Sequence, residues 1–129
     1  MGRSILSVIG GYLTLIIGVS TFFGLLLVLY PDAMPSEPGP FAGPTWILIA
    51  ELGTSGIVAV FGGYVSAWIA NHHHLHHAAA LAALMLVLGV VSMALETGMK
   101  PLWSSVAIAV VCPAAAVAGG ALRVRLLRQ

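Results

Sequence analysis

The stretch Pro44-Thr45-Trp46-Ile47-Leu48-Ile49-Ala50-Glu51, continuing L-G-T-S-G-I-V-A-V-F-G-G-Y-V-S-A-W-I-A to Ala70, decides what fold this chain can adopt. Its apolar run, 46–70, is interrupted by one acid. A helix of about 20 residues crosses roughly 30 Å of hydrocarbon, so this run is long enough to span a bilayer. The run is continuous rather than alternating, which favours helix over strand. Lipid offers no partner to exposed backbone groups, so a span must be a helix or part of a closed barrel.

Working outward, three more apolar runs stand at about 5–30, 76–95 and 102–122. Together they predict an all-α membrane protein: a four-transmembrane-helix bundle forming a single integral membrane domain over 1–129. The first two runs exceed the bilayer and should tilt or extend past its surface. Composition agrees. Apolar residues make up 60% of the chain and charged residues 7%, where soluble domains carry about 25% charged; mean hydropathy is +1.05. A net charge of +1 is too small to imply nucleic acid. With one cysteine, Cys112, no intrachain disulfide forms. Met1-Gly2-Arg3 and the apolar run after it look like a signal peptide, but the run outlasts an h-region of about 7–15 residues and no A-x-A site follows. The first run is therefore read as a retained span.

The connections differ in kind. Between the first two spans lie Pro31, Pro35, Pro38 and Pro40, which remove donors and bar a helix. The second connection is Asn71-His72-His73-His74-Leu75-His76-His77, and the third turns at Thr97-Gly98-Met99-Lys100-Pro101. Four spans put both termini on one side. That side carries Arg3, Arg123, Arg125 and Arg128, against Lys100 alone on the other. The positive-inside rule then makes the termini and the histidine loop cytoplasmic, in a multi-pass protein of a bacterial inner membrane. Asp32, Glu37, Glu51 and Glu96 all fall in the outer half.

The opening stretch also recurs. Pro44, Trp46 and Gly62-Gly63 return 57 residues later as Pro101, Trp103 and Gly119-Gly120. Each copy begins with Pro in the first turn, sets a Trp at headgroup depth and ends in paired glycines. Two tandem helical hairpins of like topology would explain this. Helices in lipid associate through small residues that let backbones approach. The stripes Gly10, Thr14 and Gly18 (with Ser7 and Gly11 adjoining), Ser55, Ala59 and Gly63, and Ala115 and Ala116 with Gly119 and Gly120 are the expected packing faces. Leu25, Leu26, Leu27 and Leu29 should face lipid or a partner, and Pro113 should kink the last helix, releasing the carbonyl of Ala109.

Glu51 is the most informative residue. Counted from Trp46 it lies roughly 7–8 Å below the interface at 1.5 Å per residue, and acids at such depth are paired or functional. It shares a face with Thr54, Ser55, Val58 and Gly62, so it points into the bundle as a site for a proton, a cation or a partner's basic group. The plainer reading is a hydrogen-bonded glutamate near enough to the surface to snorkel. Glu96, at the end of the third helix, reads as interfacial or as a second such contact.

Were the third helix to begin near His72, the pairs His72/His76 and His73/His77 would each share a face, a spacing that suits Zn²⁺ or Cu²⁺. No Cys, Asp or Glu lies close in sequence to complete a site, so the plainer reading is a polar turn. Axial ligation of a haem or pigment is disfavoured because no histidine lies deep in a span. No cofactor is expected, and Cys112 reads as a small packing residue. No Ser-His-Asp set, phosphate loop or paired-carboxylate signature occurs, so the chain reads as no enzyme.

Residues Gly62-Gly63-Tyr64-Val65-Ser66-Ala67-Trp68-Ile69-Ala70 resemble the G-G-Y-x-x-A-x-x-A pattern of a widespread group of small, uncharacterised four-helix bacterial membrane proteins. His77, Ala78 and Leu81 resemble the H-A-x-x-L helix that follows in that group. Pro101-Leu102-Trp103, Cys112-Pro113 and Gly119-Gly120-Ala121-Leu122-Arg123 resemble its last helix. The likeness covers about 44–123 and implies the topology. Glu51 and the extra histidines depart from the pattern, and no activity comes with it. The expectation is an accessory or scaffolding subunit, with the lipid bilayer and other membrane subunits as partners. The alternative is a homo-oligomeric transporter or a metal- or proton-handling protein using Glu51 and the 72–77 loop.

Overall fold

The computed structural model describes residues 2–33, 39–70, 73–95 and 97–129, with the side chains of 2, 3 and 33 left aside. Four α-helices account for most of it: α1 (Gly2–Leu29), α2 (Thr45–Ala70), α3 (His74–Leu95) and α4 (Leu102–Leu126), with a 3-10 turn at Pro31–Ala33. All four are long and apolar enough to cross a membrane. The chain is a multi-pass membrane protein folded as a four-helix bundle. Three boundaries move by two residues or more from the sequence reading, the first being the start of α1 at Gly2. α3 begins at His74, and α4 runs on to Leu126, taking Arg123 and Arg125 into its last turn. Arginine is a good helix former, and a base suits the negative end of a helix. At 25 residues α4 is about 37 Å long, longer than the roughly 30 Å of hydrocarbon it has to cross.

Seen down its axis the bundle is a skewed four-sided arrangement with helices in the order α1, α2, α4, α3. α2 packs closely on α1 and α4, and α3 on α4; α2 and α3 meet across the short diagonal, while α1 and α4 do not touch. α2 is the most buried span and α1 the least. The core is built largely of small side chains: Ala59, Ala67, Ala78 and Ala116 have no exposed surface, and Leu81 is buried among them. Without a hydrophobic drive between helices in lipid, such residues matter because they let backbones approach and disperse well.

The glycine pairs mark the tightest crossing. A Cβ on Gly63 would run into the backbone of Ala116, and one on Gly119 into the backbone of Val60. Gly62 instead faces Gly11 of α1, where a Cβ would sit 2.9 Å from a carbonyl oxygen, while Gly120 faces Ala78 of α3. In each pair one glycine serves the α2–α4 contact and the other serves the hairpin neighbour.

α2 and α4 start alike: the amide of Ile47 donates to the carbonyl of Pro44 (3.1 Å) and that of Ser104 to Pro101 (3.0 Å). The hairpins are set side by side, however, and not about a two-fold axis. Such an axis would put α1 and α3 on opposite sides of the α2–α4 pair, yet they touch each other. The reciprocal crossing contacts show the same departure. Gly63 and Gly119, like Val60 and Ala116, stand 56 residues apart, one fewer than the repeat in the letters.

The expected packing faces are placed with one shift. Ser55, Ala59 and Gly63 are buried together, and Ala116, Gly119 and Gly120 line the buried side of α4, with Ala115 half-buried against the core. On α1 the buried line is Ser7, Gly11 and Leu15; Gly10, Thr14 and Gly18 lie at its edge. There Ile69 and Val58 of α2 fill the notches over Gly10 and Gly18, and the hydroxyl of Thr14 donates back to the carbonyl of Gly10 at 2.9 Å. Leu25, Leu27 and Leu29 are exposed as expected, but Leu26 turns inward.

Candidate functional site

α2 begins after Pro44 and carries Glu51 on the same buried side as Ser55 and Ala59, which brings its carboxylate inside the bundle with only 7% of the residue exposed. The turn between α3 and α4 carries Lys100 to the same depth. Gly98 (φ 82°) lets the chain reverse there, and Pro101 then starts α4. The result is an ion pair: Lys100 Nζ donates to Glu51 Oε1 at 2.8 Å. The lysine side chain remains 30% exposed, so it reaches in from the surface while the carboxylate stays covered.

The loop end is tied at two further points. The amide of Phe41 donates to the carbonyl of Met99 at 2.7 Å, fastening the 31–44 connection to the α3–α4 turn. Tyr30 and Trp46 meet edge to face with centroids 5.4 Å apart. The first holds the turn that presents Lys100, and the second joins the end of α1 to the start of α2.

Glu51 forms part of the wall of two cavities. The larger, about 420 Å³, lies between Tyr12–Ser20 of α1 and Met85–Ser92 of α3, with Glu51 and Ser55 of α2 and Ile108–Pro113 of α4 as its floor. The smaller, about 190 Å³, lies towards the turn and is bounded by Lys100, Ser92 and Ser105. The two spaces share Glu51, Gly89, Ser92, Ile108 and Ala109, of which Glu51 alone is ionisable. Cys112 packs in the apolar cluster with Leu15, Ala59 and Leu81, as a small packing residue would. α4 continues as helix through Pro113, and Ala109, whose carbonyl the proline deprives of its helix donor, is buried against Gly89 of α3.

The histidine end has a different chemistry. His73 takes φ 51°, a left-handed conformation that histidine visits more readily than most side chains, and this closes the short link between α2 and α3. Because the helix starts at His74, His73 and His77 do not share a helical face, contrary to the spacing argument. His77 Nδ1 is 3.1 Å from the carbonyl of His73, and His74 Nδ1 is 2.5 Å from that of Ala67. The rings of His73 and His76 meet edge to face at 5.6 Å. Among the described residues no three His, Cys, Asp or Glu side chains gather around a metal-sized space; His72, like Glu96 and Glu37, lies outside them. Nearby, Arg123 folds back onto α2, its Cζ 5.7 Å from the centre of the Tyr64 ring and its Nη1 3.4 Å from the Tyr64 hydroxyl.

Sequence reasoning found Glu51 and its inward face but missed Lys100 as the partner. The signal was present: topology puts both at the same end, and Lys100 is the sole base there. Comparison with family models, curated proteins and solved structures finds no match to this chain.

Proposed function

We propose that this protein is a small accessory or scaffolding subunit of a bacterial inner membrane, its termini cytoplasmic, packing within the bilayer against a larger assembly. The observation that carries the reading is the bare flank of α1. This helix rests mainly on α2, and its outer edge exposes Ile17, Thr21 and Val28 beside Gly24, with Ile17 next to Val58 and Phe61 of α2. Nothing lies within 4 Å of the point where a Gly24 side chain would begin. In lipid, a small-residue notch on an apolar helix is the kind of surface on which another helix can settle closely. The internal pairing of Glu51 fits the same reading, since the buried acid has its counter-charge within the chain and demands none from a neighbour.

The competing reading, ion handling by a homo-oligomer, draws on the two cavities at Glu51. Native mass analysis after mild detergent extraction separates the two. Unlike subunits that co-purify in fixed ratio support the accessory role, and a pure homo-oligomer overturns it. Glu51→Gln supplies a second arm, because ion flux lost with assembly intact would count for the transporter.

A further inference from the structure

The larger cavity has a property that the accessory role does not use. α1 and α3 meet at Gly11 and Leu81, where a Cβ on the glycine would lie 2.8 Å from the leucine side chain. Beyond that point they part. Exposed Ile16 of α1 and Leu88 of α3 stand on either side of the gap, so the cavity opens sideways toward the acyl chains. Its lining is mostly apolar; Tyr12, Ser20, Ser55 and Ser92 are the hydroxyl residues in it, and the nine-tenths-buried Glu51 at the floor is its one acid. Lys100 does not line this cavity. It reaches the same carboxylate through the smaller one, from the turn side.

The geometry points to a binding site for a single-chain lipophilic amine, whose ammonium replaces Lys100 Nζ on Glu51 while its hydrocarbon part fills the space between α1 and α3. Four features select this occupant. The one acid in the lining is Glu51, so an anionic head is repelled there and an uncharged head, though it can hydrogen-bond, leaves the carboxylate without a counter-charge. Lys100 is itself an alkylammonium, so the native pair displays the chemistry the site accepts, and its part-exposed side chain can swing back to water when displaced. The exchange conserves charge inside the bundle: one ammonium leaves the carboxylate as another arrives. A volume of about 420 Å³ sits low in the range of small-molecule sites, roughly 300–1,000 Å³, which suits one chain. Lys100 thus acts as a tethered competitor that closes the site when no amine is present.

A hydrophobic carbodiimide in phosphatidylcholine nanodiscs tests this with the whole protein. The reagent activates the buried carboxyl, the nearest amine attacks it, and the oxygen lost leaves with the reagent as a urea. Without added amine, the expected product has lost the mass of one water and carries an amide between Glu51 and Lys100. With decylamine, the expected product is the decylamide of Glu51, saturable and formed at the expense of the internal crosslink. 1-Decanol, of like length but uncharged, should leave the crosslink unchanged. Lys100→Met should show decylamide capture at roughly fivefold lower amine, as fits the loss of a part-exposed competing ion pair. Decanol suppressing the crosslink as well as decylamine does would overturn the proposal and leave a cavity filled by hydrocarbon alone. Decylamine failing to divert the crosslink at any concentration would overturn it too, and this arm needs no variant to fold.

Discussion

At the scale of single residues, the Glu51–Lys100 pair sets the energetics of the loop end. Removing one partner of a fully buried pair costs roughly 3–5 kcal/mol, because the other charge is left uncompensated. Lys100 is 30% exposed at its side chain, so water screens the pair and the loss should be nearer about 1–2 kcal/mol. Lys100→Met is therefore expected to lower the thermal midpoint in a fixed detergent. Glu51→Gln should do so less, since the amide keeps a hydrogen-bond acceptor. The double variant Glu51→Leu with Lys100→Met should regain most of the loss, because no charge is then stranded. A double variant that falls by the sum of the two singles would show that the pair is not the reason. Ser104, 1% exposed, has a hydroxyl without a hydrogen-bond partner among the described residues. Ser104→Ala is accordingly expected to be neutral or mildly stabilising in the same assay, since it removes an unsatisfied polar atom.

At the scale of elements, the crossing of α2 and α4 governs assembly of the bundle. Its two reciprocal glycines leave no room for even a methyl group, since each Cβ would meet backbone rather than a side chain that can turn away. Gly63→Ala and Gly119→Ala should each cost at least about 2–3 kcal/mol through overpacking and broaden the monodisperse peak on size exclusion. Gly24→Ala and Gly53→Ala meet open space and should stay within about 1 kcal/mol of wild type, on the stabilising side, by helix propensity. Equal effects at all four sites would show that the crossing is not close-packed. The letters already marked Gly62-Gly63 and Gly119-Gly120 as the places where helices meet. They could not assign partners within each pair, because a helix turns about 100° per residue and neighbouring glycines face different helices. The histidine turn shows the same limit. His73 and His77 are four apart, but a helix start at His74 removes the shared face on which the spacing argument depended.

For the whole molecule, topology is the property most open to test. The excess of arginine near the termini predicts that both lie inside the cell. With Cys112→Ala removing the buried native thiol, Gln129→Cys should react with a membrane-impermeant maleimide only after the cells are permeabilised. Labelling in intact cells would reverse the assignment and place the Glu51–Lys100 end on the cytoplasmic side. The order α1, α2, α4, α3 around the bundle bears on partners as well, for it leaves α1 with one strong neighbour and opens the gap to α3.

What the chain of letters determines by itself is the solvent, the number of spans and the approximate ends of each. These follow from length, hydropathy and the need to satisfy a backbone in lipid, all of which are local. What only the tertiary structure decides is which helix neighbours which, that Lys100 answers Glu51, and that the carboxylate lies between two cavities. The physical reason is that apolar helices in lipid have little in their sequence to choose one neighbour over another. The choice rests on sub-ångström fit between small residues and on charges brought together from 49 positions apart.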